Sequence, residues 1–306
     1  MPEFLLLLAC TDPLKDTEAG TTPDRTDTSA TDTATETTGP HTFVQVAAAD
    51  DYACALTDAG EVVCWGRDQA GRTEPGAGPF TRISLGAVFA CGLRPSGTVT
   101  CWGYAEDAGI APDVSPDLPG LWVDLDLGNR YACALDEDGR VTCFSVEGRG
   151  NDADPPADPG FTSVRAGGVL ACALDADGVP TCWGSKDNGW PGAPDLSLGA
   201  LDLGTGNACA LERDSGTPVC WGQNLFGESA PPALTGLVDI STSELWSCAV
   251  SGDGELQCWG EEAGTPPRDG PFTNVSVSEF FACALRVDGT IACWGANEAG
   301  QSEPPA

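Results

Sequence analysis

Fourteen of the fifteen cysteines fall into seven pairs: 54 with 64, 91 with 101, 133 with 143, 172 with 182, 209 with 220, 248 with 258, and 283 with 293. Six pairs are ten residues apart and one is eleven, and successive pairs recur at intervals of 35 to 42 residues. A period of this length marks a repeat architecture, in which each unit covers its neighbour's apolar face. The spacing also reads as a hairpin, because residues facing each other across antiparallel strands have numbers with a constant sum. If Cys54 faces Cys64, then Leu56 faces Val62 and Ala53 faces Trp65. The same rule sets Leu93 against Val99 and Ala90 against Trp102, and in the last copy Leu285 against Ile291 and Ala282 against Trp294.

The residue opposite the aromatic is always small, namely Ala53, Ala90, Ala132, Ala171, Ala208, Ser247 and Ala282. One hairpin face then carries Cys, Cys, Leu and Val, and the other carries Ala, Ala and Trp, so both need cover. Stacking the hairpins around a ring supplies it seven times. Directly opposed residues lie within the reach of a disulfide, so the seven pairs predict seven bridges: Cys54–Cys64, Cys91–Cys101, Cys133–Cys143, Cys172–Cys182, Cys209–Cys220, Cys248–Cys258 and Cys283–Cys293. Zinc is the weaker reading of these cysteines, since tetrahedral sites want four ligands and short knuckle spacings. Seven bridges demand an oxidising compartment.

Two copies depart from the pattern. Cys143-Phe144-Ser145 stands where the others have Cys-Trp-Gly, and the fifth pair has a turn one residue longer at Arg213-Asp214-Ser215-Gly216. Pro180 and Pro218 replace an aliphatic residue, which points to a backbone N–H that no ladder bond requires.

Composition narrows the function. With 39 Gly and 24 Pro among 306 residues, the chain has too much turn chemistry for helices, and an all-β protein follows. The 46 acidic against 14 basic side chains give a net charge of −32, which repels nucleic acid and anionic membrane surfaces. A single histidine, His41, excludes Ser-His-Asp and Cys-His catalysis within the repeats. No cofactor motif is present. The Asp136–Gly139 and Asp175–Gly178 segments suit hairpin tips better than calcium loops, which need more converging oxygens.

The start of the chain, Phe4-Leu5-Leu6-Leu7-Leu8-Ala9-Cys10, resembles a bacterial lipoprotein signal. The resemblance implies cleavage of residues 1–9 and lipidation of Cys10, and Thr11 behind it favours the outer membrane by analogy with diderm lipoproteins. Residues 10–42 hold twelve Thr, seven Asp or Glu and almost nothing apolar, the composition of a disordered tether. Its typical span is roughly 30 Å.

From residue 43 to 306, the frame of a short strand, Ala-Leu, a Gly turn and Trp-Gly, with Asn297-Glu298-Ala299-Gly300-Gln301 at the end, resembles the regulator of chromosome condensation repeat family. Plant crinkly-type receptor ectodomains and a secreted β-lactamase-inhibiting propeller are similar. The resemblance implies a seven-bladed β-propeller with blades of up to four strands. Family fold does not carry family activity.

Two residues before each first cysteine stand Tyr52, Phe89, Tyr131, Leu170, Asn207, Trp246 and Phe281. Their strand parity matches the cysteines, which fits packing between blades. Alternatively the aromatics line the rim of one face, bordered by Asp50, Asp51, Glu244 and Glu279, as a protein-binding patch. The loops after Trp-Gly, with Trp190 and Phe226, form a second candidate surface. The expected function is non-catalytic: a monomeric, lipid-anchored propeller at the envelope or cell surface that binds a protein. The alternatives are carbohydrate binding and, behind it, hydrolysis.

Overall fold

In the computed structural model, residues 42–69, 71–103, 121–145, 154–184, 192–261 and 264–305 are described. The expected signal, tether, Cys10 and Trp190 lie outside them. The described residues form seven three-stranded antiparallel sheets, each built from consecutive strands. In the first blade the inner strand is Phe43–Ala49, the middle strand Tyr52–Thr57 and the outer strand Val62–Gly66. The inner strands of the other six are Arg82–Leu85, Trp122–Leu127, Phe161–Ala166, Leu198–Leu203, Leu237–Thr242 and Phe272–Val277. The chain is an all-β, seven-bladed propeller, and among the described residues each blade holds three strands, within the up to four that the resemblance implied.

The register is the one the cysteine spacing predicts: Cys54 faces Cys64, Leu56 faces Val62 and Ala53 faces Trp65. All seven disulfides form, with Cα atoms 4.0–4.1 Å apart. So short a separation marks the narrow rungs of an antiparallel ladder, where N–H and C=O groups point away from the partner strand. On the outer strand they point to the free edge. Two residues away on the same side stand Pro180 and Pro218, opposite Leu174 and Leu211, where the missing N–H would have faced outward.

Both hairpin faces are covered. Between the first two blades, Tyr52, Cys54 and Leu56 pack against Phe80, Ile83, Leu85, Ala90 and Trp102 of the next. Between the last and the first, Phe281, Cys283, Leu285 and Ile291 meet Phe43, Val46, Ala53 and Ala55. The Cys–Leu face of each blade thus meets the Ala–Trp face of the following one, and area burial of this kind is the main stabilising term.

Polar bonds lace the ring. At every junction the carbonyl of a hairpin-tip glycine accepts an N–H at or just before the start of the next inner strand, from Phe80 on Gly60 at 2.8 Å round to Phe43 on Gly289 at 3.0 Å. The inner strands expose one edge to the central channel, and side chains of the preceding blade cap its N–H groups. Gln45 bonds both the N–H (3.0 Å) and the carbonyl (2.7 Å) of Ile83. Asp124 and Asp126 accept from Val164 and Ala166 at 3.0 and 2.9 Å. Asp202 accepts from Thr242 at 2.8 Å, and Asp239 from Val275 at 2.8 Å. Ser84, Ser241 and Ser276 accept from Leu127, Val277 and Ala48 at 2.9–3.0 Å. An edge strand left open to pairing is thereby closed without a further strand.

Candidate interaction face

The face that carries the inner-to-middle strand turns surrounds one mouth of the channel. There a cavity of about 260 Å³ is lined by Asp50, Asn129, Thr205, Glu244 and Glu279 together with glycine backbone. It adjoins a channel cavity of about 460 Å³ with which it shares Ala48, Leu85 and Thr242. Glycine is required at this constriction: a Cβ on Gly128 would lie 2.2 Å from the Gly167 carbonyl oxygen, and one on Gly167 2.3 Å from that of Gly204.

The structure brings Asp50, Glu244 and Glu279 together. The Glu279 carboxyl is held above its ordinary range, first by partial burial and then by the charges of Glu244 and Asp50. Asp50 has φ of 49°, the one positive value among the described non-glycine residues. Aspartate tolerates this left-handed region better than most side chains. Asp50 also lies 3.4 Å from the Arg72 guanidinium, and Asp51 is bound to arginine more closely. Its carboxylate pairs with Arg67 and, at 2.7 Å, with Arg72, a fully buried guanidinium that also reaches the Ala87 carbonyl at 2.6 Å. Asp51 is part of the packing and not of the acidic border.

The aromatic anchors need correction. Tyr52, Phe89, Tyr131, Trp246 and Phe281 are all 0–2% exposed. They seal the tops of the blade junctions, since the residue two before a cysteine shares its inward parity. Three also tie off turn carbonyls of the next blade. Tyr52 donates to Gly86 at 2.9 Å, Tyr131 to Leu170, and the Trp246 indole to Ser278 at 3.0 Å. Burial pushes both tyrosine hydroxyls well above their usual range.

The apolar groups that reach solvent on this face sit one residue earlier, in the turns: Phe280 is 51% and Val169 38% exposed. Sequence reasoning missed them by following cysteine parity. The available signal was the apolar residue directly beside the acidic one, as in Glu279-Phe280.

The loops after Trp-Gly share one design in the three copies described to the greatest extent. The carbonyls of Arg72, Glu228 and Gln301 accept the indole N–H of Trp102, Trp259 and Trp65 at 2.8–3.0 Å. Each loop thus docks on the next blade's tryptophan. In the middle copy the buried Glu228 carboxylate also accepts the N–H of Leu225 (3.0 Å) and Phe226 (2.7 Å), fixing a tip whose side chains are 77% and 42% exposed.

The Asp136 and Asp175 carboxylates are used locally. Asp136 accepts the N–H of Asp138 and Arg140, and Asp175 that of Asp177 and Val179, closing their hairpin tips. Among the described residues no group of three or more His, Cys, Asp or Glu is placed to hold a metal ion. No helix of the described residues is long and apolar enough to cross a membrane.

Residues 43–72 and 272–301 match the family model of the Regulator of chromosome condensation (RCC1) repeat. No curated protein matches the chain in sequence. The fold is shared with solved propellers. The CRINKLY WD40 ectodomain of the receptor kinase ACR4 from Arabidopsis thaliana is 22% identical with a TM-score of 0.72, over 86% of this chain and 99% of that one. The ectodomain of the receptor kinase CR4 from Physcomitrella patens is 22% identical with a TM-score of 0.71, over 83% and 74%. Prp20p of Saccharomyces cerevisiae, described with its binding to Gsp1p and histones, is 18% identical with a TM-score of 0.60, over 73% and 74%.

Proposed function

We propose that this propeller is a non-catalytic binding module at the envelope or cell surface, lipid-anchored through Cys10 to the outer membrane, and that it takes a protein partner on the acid-mouthed face. The observation that carries the reading is the turn cluster in which Asp50, Glu244 and Glu279 crowd one cavity beside the exposed Phe280. Three close carboxylates favour a partner that presents Lys or Arg, and an exposed aromatic beside them supplies a contact of the kind that dominates interface energetics. A net charge of −32 steers such a basic partner toward the chain. The yeast propeller named above is itself described as binding proteins, which agrees with this use of the fold.

Carbohydrate binding rests on tryptophans open to stacking. All eight described tryptophans are buried or half-buried, so that reading leans on Trp190 alone.

The test is capture from envelope extract by the wild-type chain and by a Glu244→Gln, Glu279→Gln, Phe280→Ser variant side by side. A partner retained by the first, lost from the second and released by moderate salt is expected. No partner, or one held equally by both, overturns the reading. Intact-mass measurement of the cell-derived protein tests the anchor: cleavage before Cys10 with an acylated cysteine is expected, and an unmodified Cys10 ends it.

A further inference from the structure

The side-chain lacing of the inner strands leaves single N–H groups such as those of Val46 and Leu85 uncapped, but at one junction among the described residues it is missing altogether. Six of the seven blade junctions cap a channel-facing N–H of the next inner strand with a glutamine, aspartate or serine of the preceding one. Between the fourth and fifth blades nothing does. The N–H groups at issue belong to Leu201 and Leu203, which hold the register against Ala210 and Ala208 that Val164 and Ala166 hold against Ala173 and Ala171. Identical register gives identical direction, so both N–H groups face the channel edge. Among the described residues no side chain reaches them, although Leu201 and Leu203 are only 5% and 6% exposed.

The reason is local. The residues that would supply the oxygens are Ser163, whose hydroxyl is too short for the task Gln45 and Asp124 perform, and Arg165, which is a donor. Arg165 turns back, giving one nitrogen to Asp124 at 3.1 Å and to its own strand's Val164 carbonyl at 2.7 Å. Meanwhile the junction is clamped at both ends, by Gly168 N–H on the Gly204 carbonyl (3.1 Å) and Leu198 N–H on that of Gly178 (2.9 Å). The gap therefore cannot close by sliding the blades together. A buried donor left unpaired is costly, and such groups are normally satisfied by protein, water or ligand.

We propose that this junction is a binding slot for the carboxylate of a small ligand entering the channel, held by the Leu201 and Leu203 N–H groups with the Arg165 guanidinium as its charge partner. The chain displays the same arrangement one junction earlier, where two carboxylates, Asp124 and Asp126, occupy the equivalent N–H groups beside Arg82 and Arg165. The 460 Å³ cavity reaches the slot through Gly199, Ala200 and Arg165, where small residues leave room.

The experiment follows the Leu201 and Leu203 amide resonances of the oxidised chain during titration with sodium acetate, with glycine and with methylammonium chloride at constant ionic strength. Val164 and Ala166 serve as internal controls. Saturable shifts at Leu201 and Leu203 with acetate and glycine, and none with methylammonium, are expected. The Ser163→Asp variant, which places the chain's own carboxylate where Asp124 sits, should abolish them, while Ser163→Ala leaves them. Shifts no larger than those of the controls, shifts produced by methylammonium, or shifts that survive Ser163→Asp in a protein with unchanged melting each overturn the assignment.

Discussion

The indole N–H of Trp65 donates to the carbonyl of Gln301 at 2.8 Å, joining the first blade to a loop 236 residues later in the chain. The same bond joins Trp102 to the loop of the first blade and Trp259 to that of the fifth, so the last loop performs for the first blade what those two perform for their successors. Deleting residues 297–306 leaves this N–H without its acceptor and is expected to lower stability by about 1–3 kcal/mol. Chemical denaturation with a shifted midpoint and an unchanged slope checks it; an unaltered midpoint would refute the closing role of the loop.

Each disulfide closes a short loop, and chain-entropy reasoning assigns about 2–3 kcal/mol to one of this size. Replacing Cys248 and Cys258 together by alanine is expected to cost that much while leaving the other six pairs intact, as unfolding and mass mapping would show. The penalty should recur at Cys133 and Cys143, since the two rungs are alike in Cα separation.

The channel carboxyls set a pH dependence. Burial raises Asp202 from 3.8 to about 6 and Asp239 from 3.8 to about 7, against the lowering effect of their bonds to Thr242 and Val275. Both groups hold a proton more tightly folded than unfolded. Between pH 4 and 7 the native state then binds more protons, and stability falls as pH rises through that window. Melting temperature is expected to climb from pH 7.5 to pH 5, with the full gain moderated because both residues are only half-buried along the channel. Asp239→Asn keeps an acceptor for Val275 and should flatten the slope. A melting curve flat across the window, or equal slopes in both proteins, would contradict the assignment.

Gly66 has φ of +97°, and a Cβ there would meet the Asp51 carbonyl oxygen at 2.6 Å and the Tyr52 Cα at 2.8 Å. Gly300 has φ of +77° with nothing within 4 Å. Gly66→Ala is expected to cost about 2–3 kcal/mol, from strain and backbone collision together, and Gly300→Ala about 1 kcal/mol from strain alone. Thermal unfolding of the two variants side by side distinguishes collision from strain.

The fold was legible because cysteine numbering fixes a rung, and one rung fixes a hairpin's register. Cys54 against Cys64 determines the facing of Ala53 and Trp65 with no further information. The candidate face was less legible. Parity places Tyr52 on the same side as Cys54 but cannot say that this side is sealed by Gly86 and Phe89 of the next blade. The acidic trio at the mouth comes from turns of the first, sixth and seventh blades, a meeting that only ring closure produces. The lacing residues were visible as polar interruptions in apolar strands, Asp124 and Asp239 among them, yet their target is backbone, which leaves no trace in the sequence.

Because the three strands of the first blade fall within residues 43–66, no strand of the described residues is shared between the first blade and the seventh. A pulling force applied ahead of Thr42 therefore enters the ring at the Phe43–Gly289 bond and the Asp58–Thr42 bond beside it. Such a load acts at once on the boundary with the seventh blade and on the first blade's own inner strand. The bridge between Cys54 and Cys64 lies behind that inner strand, so the load can strip Phe43–Ala49 from its own blade, and extension halts at Cys54.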